Sequence, residues 1–196
     1  GVKRAVADYV ARLSLVMSAG RHKAQVAMLY PIGSFHSEWA VGIQGGIDKL
    51  IAEGFDHFCA YLMREHFDYD LVTEKAIQES EISGGKMRIA DEEYELIILP
   101  PCTCIEASTY QRIQEFVDRG GRMLGAGLLP ICDSTEGSDG TPVSEEICAA
   151  SQKLFQLDPI SLRSAAIENQ AAGETPSLHL TPDRRAAFIK CSSADA

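Results

Sequence analysis

The sequence has little positive charge for its length. Its 196 residues include 18 Lys and Arg against 28 Asp and Glu, which gives a formal net charge of −10. Surfaces that bind nucleic acids or anionic membranes carry clustered Lys and Arg. No apolar run reaches the roughly 20 residues that a membrane-spanning helix needs. We therefore expect no nucleic acid and no membrane among the partners of this chain.

Motifs that bind cofactors or metals are also missing. The five histidines are dispersed without metal-ligand spacing, and there is neither a P-loop nor a Gly-x-Ser-x-Gly elbow. Gly125-Ala126-Gly127 begins like a dinucleotide fingerprint, but Leu129 and Pro130 follow where a third glycine would admit a helix. The sequence predicts no cofactor and no metal site.

The six cysteines have no regular spacing. The close pair Cys102-Thr103-Cys104 matches neither a Cys-x-x-Cys redox motif nor half of a zinc site. A disulfide framework is unexpected in a chain with this much apolar sequence. We predict unpaired thiols in a reducing compartment, which favours the cytoplasm and leaves a periplasmic or secreted parent protein open.

What the sequence does contain is organised around residues 94–127. An apolar run, Tyr94–Leu99, ends at Pro100-Pro101, and an amphipathic helical pattern follows and stops at Gly120-Gly121. A second apolar run then covers residues 122–127. Continuous apolar runs joined by an amphipathic helix are typical of a βαβ unit in a parallel sheet covered on both faces.

Further apolar runs extend this pattern to the rest of the chain. We predict a flavodoxin-like α/β/α sandwich of three layers, with a mainly parallel sheet built from residues 24–30, 67–72, 94–100 and 122–127. Helices are predicted at 3–18 and 46–65, each with one buried apolar face. The buried faces would be formed by Val6, Tyr9, Val10, Leu13, Val16 and Met17, and by Ile47, Leu50, Ile51, Phe58, Leu62 and Met63.

We interpret residues 1–196 as one domain with a core at 3–130. Residues 131–196 would append a polar loop, two helices and two short strands, at 178–180 and 187–190. Thr141-Pro142 is a suitable start for the first appended helix, because Thr caps helices and Pro fits their first turn.

Candidate ligand-binding residues follow the predicted strands. In parallel sheets, ligands bind beyond the carboxyl ends of the strands. The loops at 31–39 and 100–105 should therefore meet at one edge of the sheet and form a crevice for a ligand or for another domain, with Ser34, His36, Glu38, Trp39, Cys102, Thr103 and Gly127 as its candidate residues. An alternative interpretation of the first loop is purely structural, with Ser37 capping a helix and Trp39 packed on the sheet.

Three acidic residues near the second strand could suggest a carboxylate site. Asp68 and Asp70 would share one side of the strand, and Glu74 follows in a short helix that Thr73 should cap. Such acids more often flank a strand in solvent, and we favour that interpretation.

Taken together, these segments resemble a known accessory domain. The similarity covers roughly residues 3–130 and rests on Val26-Ala27-Met28-Leu29-Tyr30-Pro31, Phe67-Asp68-Tyr69-Asp70, Gly85-Lys86-Met87-Arg88-Ile89, Tyr94–Pro101 and Gly120-Gly121-Arg122-Met123-Leu124. The pattern is similar to the class I glutamine amidotransferase-like domain that follows the catalytic barrel in large bacterial glycoside hydrolases. The α-L-rhamnosidase type is the nearer relative in this resemblance, and the β-galactosidase trimerisation domain is more distant.

The resemblance implies a scaffold without amidotransferase activity. In active amidotransferases the nucleophilic cysteine sits in a tight turn after the strand that corresponds to residues 122–126, and here Gly127 stands at or next to that position. The family's late His-x-Glu pair is also absent, because His179 is followed by Leu180 and Thr181. Acyl transfer requires both nucleophile and base.

The resemblance further implies a barrel domain of the same parent chain as partner, with a homo-oligomer or a carbohydrate as further possible partners. Alternatives are a carbohydrate-binding module at residues 34–39, or a thiol-dependent hydrolase that uses Cys102 or Cys132.

Overall fold

The computed structural model describes residues 2–39, 46–135, 143–172, 175–180 and 186–192. Its helices are α1 (Val2–Ser18), α2 (Ile32–Glu38), α3 (Ile47–Arg64), α4 (Glu74–Gln78), α5 (Ala107–Asp118), α6 (Glu145–Phe155) and α7 (Pro159–Ala172). Its strands are β1 (Val26–Leu29), β2 (Tyr69–Val72), β3 (Glu81–Ser83), β4 (Lys86–Ile89), β5 (Glu92–Tyr94), β6 (Leu96–Leu99), β7 (Cys104–Ile105), β8 (Arg122–Ala126), β9 (Cys132–Asp133), β10 (Thr175–Leu180) and β11 (Ala186–Ser192).

The main sheet has six strands in the order β10-β11-β8-β6-β1-β2. All neighbours are parallel except β10 and β11, which pair antiparallel at one edge. Numbered along the chain, the five parallel strands have the order 2-1-3-4-5, which is that of flavodoxin-like folds. The predicted fold class is therefore confirmed.

The two faces of the sheet are covered by different helices, because successive side chains of a strand point to opposite faces. Ala27, Leu29, Ile97 and Leu99 belong to a buried cluster with side chains of α4, α5 and α6. Val26, Met28 and Ile98 pack instead on α3, against Phe58 and Leu62. This arrangement gives the three layers of the sandwich.

The apolar run at 94–100 is divided between two sheets, which corrects the predicted strand. Tyr94 ends β5, which pairs antiparallel with β4 in a separate sheet of three short strands. The parallel strand begins only at Leu96. The strands β1, β2 and β8 fall within the predicted segments, although β1 and β2 are shorter than expected. The strands β10 and β11 are longer than the two short strands predicted at 178–180 and 187–190, and they extend the main sheet beyond the four segments that we predicted for it.

Predictions for the helices are confirmed in position but partly wrong in burial. The helix α1 has no buried residue, although the sequence predicts a buried face for it. In α3, Met63 is 63% exposed, because it follows the buried Leu62 and so points away from the sheet. The first appended helix, α6, begins later than expected. Its cap is Ser144, whose side chain accepts a hydrogen bond from the Ile147 amide. Thr141 and Pro142 lie outside the described residues.

Nowhere in the described ranges is a helix both long and apolar enough to cross a membrane.

Candidate functional site

The loops after β1 and β6 meet at the point where the strand order reverses. Ser34 of α2 accepts hydrogen bonds from the amides of Thr103 and Cys104, at 2.9 and 3.0 Å, and donates one to the Cys104 carbonyl at 3.0 Å. The expected meeting of these two loops is confirmed. However, Ser34 is fully buried, so its hydroxyl serves the loop backbone and is not offered to a ligand.

The loop at 102–104 is also tied to the segment that follows β8. The carbonyl of Thr103 accepts hydrogen bonds from the amides of Ile131 and Cys132, and the Cys102 amide donates to the Leu128 carbonyl. The Thr103 hydroxyl is buried and has no hydrogen-bond partner within the described part of the chain. Thr103 thus holds two loops together through its backbone.

Cys104 and Cys132 form a disulfide, which corrects the prediction that the cysteines are unpaired. They lie opposite each other in the parallel pair of β7 and β9, with their Cα atoms 4.7 Å apart. This separation lies within the range that a disulfide requires. The two residues are 28 positions apart, so their spacing along the sequence did not indicate the pairing. Ser37 lies beside the bond, with its hydroxyl 3.1 Å from Cys104 Sγ.

Cys102 is a free thiol in an unreactive environment. Its side chain is fully buried. Burial raises the pKa of the Cys102 thiol well above its usual value, and the nearby charge of Glu74 raises it further. Since the thiolate is the nucleophilic form, neither Cys102 nor the oxidised Cys132 supplies a nucleophile here.

Two carboxylates lie at the start of α5. Glu74 Oε2 accepts a hydrogen bond from the Glu106 amide at 2.7 Å, and Asp133 Oδ2 accepts one from the Ala107 amide at 3.2 Å. Burial raises the pKa of Glu74, although the bond from the Glu106 amide opposes that shift. Within the described residues, no group of His, Cys, Asp and Glu side chains is arranged to hold a metal ion. The carboxylates instead satisfy the free amides of the helix end.

The two other acidic residues of the possible carboxylate site, Asp68 and Asp70, do not lie at the start of α5. Asp70 accepts a hydrogen bond from the Tyr94 hydroxyl at 2.9 Å, and His22 lies between Asp70 and Asp68, at 3.3 and 3.8 Å. Burial, and then the contact with Asp70, raise the pKa of Tyr94. Asp68, Asp70 and Glu74 therefore do not form one carboxylate cluster.

His36 and Trp39 face a separate groove between α2 and α3. The groove has a volume of about 570 Å³, and its lining includes Tyr30, Phe35 and Asp48. Trp39 is 66% exposed and Ser37 lies within α2, so the alternative in which Trp39 packs on the sheet and Ser37 caps a helix is wrong. Exposed aromatic rings beside hydrogen-bonding groups can bind a ligand that is partly apolar and partly polar.

Glu38 is occupied by an ion pair. Both of its carboxylate oxygens accept hydrogen bonds from the guanidinium of Arg163 in α7, at 2.7 and 3.0 Å. The Glu38 side chain is only 9% exposed. A bidentate pair of this kind positions the end of α2.

Gly127 forms the turn directly after β8, with a φ angle of 69°. Backbone of this conformation favours glycine, because a Cβ atom is strained there. The residue of this turn has no side chain that could act as a nucleophile. Gly127 can therefore contribute shape and backbone groups to the sheet edge, and no nucleophile.

The structure thus separates the seven expected residues into several environments. Ser34, Cys102 and Thr103 are buried beneath the sheet edge, and Gly127 forms the turn after β8. Glu38 is paired with Arg163, so only His36 and Trp39 of the seven line an open groove. Sequence reasoning missed Tyr30, Asp48 and Lys49 of that groove. Tyr30 could have been identified from the sequence, because it lies next to the carboxyl end of β1. Asp48 and Lys49 belong to α3, and nothing in the sequence indicated that they line the groove.

Comparisons with known proteins do not identify a family for this chain. No protein-family model matches the chain, and no curated protein matches it. Among solved structures, Gan42B, a GH42 β-galactosidase, aligns with 69% of this chain and 17% of its own length, at 15% sequence identity and a TM-score of 0.41. The chain thus spans less than a fifth of that β-galactosidase. At this level the similarity assigns neither a family nor an activity to the chain.

Proposed function

We propose that this chain is a non-catalytic, amidotransferase-like domain of a glycoside hydrolase. Its role would be to brace the catalytic barrel, to line the substrate cleft or to support oligomerisation. The observation that carries the proposal is Gly127 at the turn after β8, with a positive φ angle and no side chain. A residue without a side chain at this turn supplies no nucleophile for amidotransferase chemistry, which supports a non-catalytic role.

The state of the cysteines supports the same proposal. Cys132 is tied to Cys104, and the Cys102 thiol is buried with a raised pKa. A thiol-dependent hydrolase needs an accessible thiolate with a base beside it. The resemblance of segments between residues 26 and 124 to the accessory domains of α-L-rhamnosidase-type enzymes then supplies the kind of parent protein. Sugar hydrolysis itself needs a positioned pair of carboxylates, which such a parent would have on its barrel.

A direct test tags the chromosomal copy of the gene and examines the purified product. We expect a polypeptide well above the 21.3 kDa of this chain that hydrolyses nitrophenyl glycosides. The isolated chain should hydrolyse neither glycosides nor glutamine nor esters. A stand-alone product of 21.3 kDa without glycosidase activity would overturn the proposal. So would hydrolysis by the isolated chain that disappears in Cys102→Ser or Cys132→Ser.

A second candidate function is carbohydrate binding in the groove between α2 and α3. The exposed Trp39 ring beside His36 and Asp48 favours it, because sugars present both apolar faces and hydroxyl groups. Calorimetric titration with rhamnose and galactose tests this candidate, with Trp39→Ala expected to abolish the binding heat. Ser34→Ala would be uninformative, since Ser34 is buried. A titration without heat for both sugars would remove the candidate and leave the bracing role.

A further inference from the structure

The groove between α2 and α3 carries one charge that the described residues do not balance. With His36 neutral, the charged side chains of its described lining are Asp48 and Lys49. The Lys49 ammonium lies 3.5 Å from the Glu53 carboxylate, one turn further along α3, so its charge is compensated. The Asp48 carboxylate forms no ion pair and no hydrogen bond with any of the described residues. Nothing in the described part of the chain therefore neutralises Asp48.

The start of α3 favours the charged form of Asp48 without cancelling its charge. Asp48 lies in the first turn of this helix, where the helix dipole stabilises a carboxylate. The dipole is equivalent to only about half an elementary charge at the helix end. A full negative charge at the groove thus remains for a ligand of opposite sign.

Two exposed aromatic side chains line the same groove. Trp39 is 66% exposed and Tyr30 is 38% exposed. The Tyr30 ring packs edge-on against Phe55 of α3, with the ring centroids 5.7 Å apart and the ring planes at 71°. Trp39 ends α2, where its amide donates a hydrogen bond to the Phe35 carbonyl. The Tyr30 ring and the Trp39 backbone are therefore held by contacts within the chain, while both rings offer surface to a ligand.

Exposed aromatic faces beside an unbalanced carboxylate select an organic cation. The negative face of an indole or phenol ring attracts an ammonium group. A bare metal ion would gain nothing from the apolar part of the lining, whereas alkyl groups can be buried against Ile32 and Ala52. We propose that the groove binds a small organic ammonium ion, with its charge near Asp48 and its alkyl groups against Trp39 and Tyr30. The inference goes beyond the proposed function and does not depend on it.

A neutral sugar, the other candidate ligand for this groove, would use Asp48 in a different way. The hydroxyl groups of a sugar need a hydrogen-bond acceptor, and the side-chain oxygen of Asn is an acceptor as well. An ammonium ion interacts with the negative charge itself. A substitution that removes the charge of Asp48 but keeps an acceptor oxygen therefore separates the two kinds of ligand.

Two probes of nearly the same shape test whether the groove recognises positive charge. One is choline, and the other is the alcohol that carries a neutral tert-butyl group in place of the trimethylammonium group of choline. Trp39 is the only tryptophan of the chain, so its fluorescence reports both titrations. We expect saturable binding of choline, and binding of the neutral alcohol at least about threefold weaker. Equal affinities for the two probes, or no saturation with choline, would overturn the proposal.

Matched variants with unchanged circular dichroism spectra test the residues. Asp48→Asn removes the charge at nearly constant shape, and Asp56→Asn makes the same change at an exposed residue of α3 outside the described lining. We expect Asp48→Asn to weaken choline binding at least about threefold and to leave binding of the neutral alcohol unchanged. Asp56→Asn should bind both probes like the unchanged chain.

The aromatic contact has its own variant. Trp39→Leu keeps an apolar side chain but removes the ring, and its binding of choline is measured by calorimetry because the fluorophore is lost. We expect choline to bind more weakly to this variant, while the neutral alcohol should lose less affinity. Unchanged choline affinity in Asp48→Asn or in Trp39→Leu would overturn the proposal, and so would equal effects of Asp48→Asn and Asp56→Asn.

Discussion

Among single residues, Glu74 is placed so that its protonation affects stability. Burial raises its pKa from the ordinary value of 4.5, so the native chain holds this proton to a higher pH than the unfolded chain does. The contribution of the protonated carboxyl is fully present below about pH 4.5 and is lost as the pH rises through the native pKa. Because the carboxylate also accepts a hydrogen bond from the Glu106 amide, its role is structural in both protonation states.

Replacing Glu74 by Gln should remove that pH dependence. The amide oxygen of Gln can still accept the bond from Glu106, but the side chain does not titrate. We expect the free energy of unfolding of Glu74→Gln to fall less than that of the unchanged chain as the pH rises from 4 toward 7. Urea unfolding at several pH values measures the difference. Glu79→Gln is the control, because Glu79 is exposed in the ion pair with Lys75; equal slopes for all three chains would contradict the prediction.

Within the secondary-structure elements, close backbone approaches decide which substitutions the fold accepts. Gly54 lies in the middle of α3, where Ala would ordinarily stabilise a helix by about 1 kcal/mol. A Cβ atom at this position would lie 2.5 Å from Cγ of Pro101 in the loop after β6. The helix can approach this loop so closely only because residue 54 has no side chain.

Gly54→Ala should therefore destabilise the protein by about 1–3 kcal/mol, as overpacking does. Gly20→Ala is the matched control, because nothing lies within 4 Å of a Cβ atom there, and its effect should stay within about 0.5 kcal/mol. Denaturant midpoints measure both changes. A stabilising Gly54→Ala would mean that α3 and Pro101 are farther apart than described.

The central strand β6 should be sensitive to loss of side-chain volume. Ile98 is 1% exposed, and Ile98→Ala should cost about 2–5 kcal/mol through lost contacts and a cavity. Leu124→Ala should cost less, because Leu124 is only half-buried. Leu71→Ala at the edge strand β2, where the side chain is 50% exposed, serves as the control, and thermal unfolding ranks the three variants. An Ile98→Ala variant as stable as Leu71→Ala would contradict the central place of β6.

For the whole molecule, the disulfide cross-links the short strands β7 and β9, which lie outside the main sheet. Closing a loop of 28 residues should stabilise the native state by about 3–4 kcal/mol in the chain-entropy model. Reductant should lower the denaturant midpoint of the unchanged chain and should have no such effect on Cys132→Ser. Thiol titration of the unfolded chain should find two more thiols after reduction than before. Equal thiol counts would contradict the pairing of Cys104 with Cys132.

The fold could be predicted because its helices and strands have local patterns in the sequence. The candidate site could not, because it depends on contacts between residues that are far apart in the sequence. The buried runs at Val26 and Leu96 and the helix between Ala107 and Asp118 are visible in the sequence because each repeats a period over several residues. No local period connects Cys104 to Cys132 or Ser34 to Thr103. The exposure of α1 could not be predicted either, because an apolar helical face does not show on which surface the helix packs.

The pair of Glu38 and Arg163 has a consequence for biosynthesis. The two residues are 125 positions apart, and chains are synthesised at about 5–20 residues per second. About 6–25 s therefore pass between the addition of Glu38 and the addition of the arginine that holds its carboxylate. During that time the Glu38 carboxylate lacks its partner in α7. The ion pair between α2 and α7 can therefore form only after α7 has been synthesised, long after α2 itself.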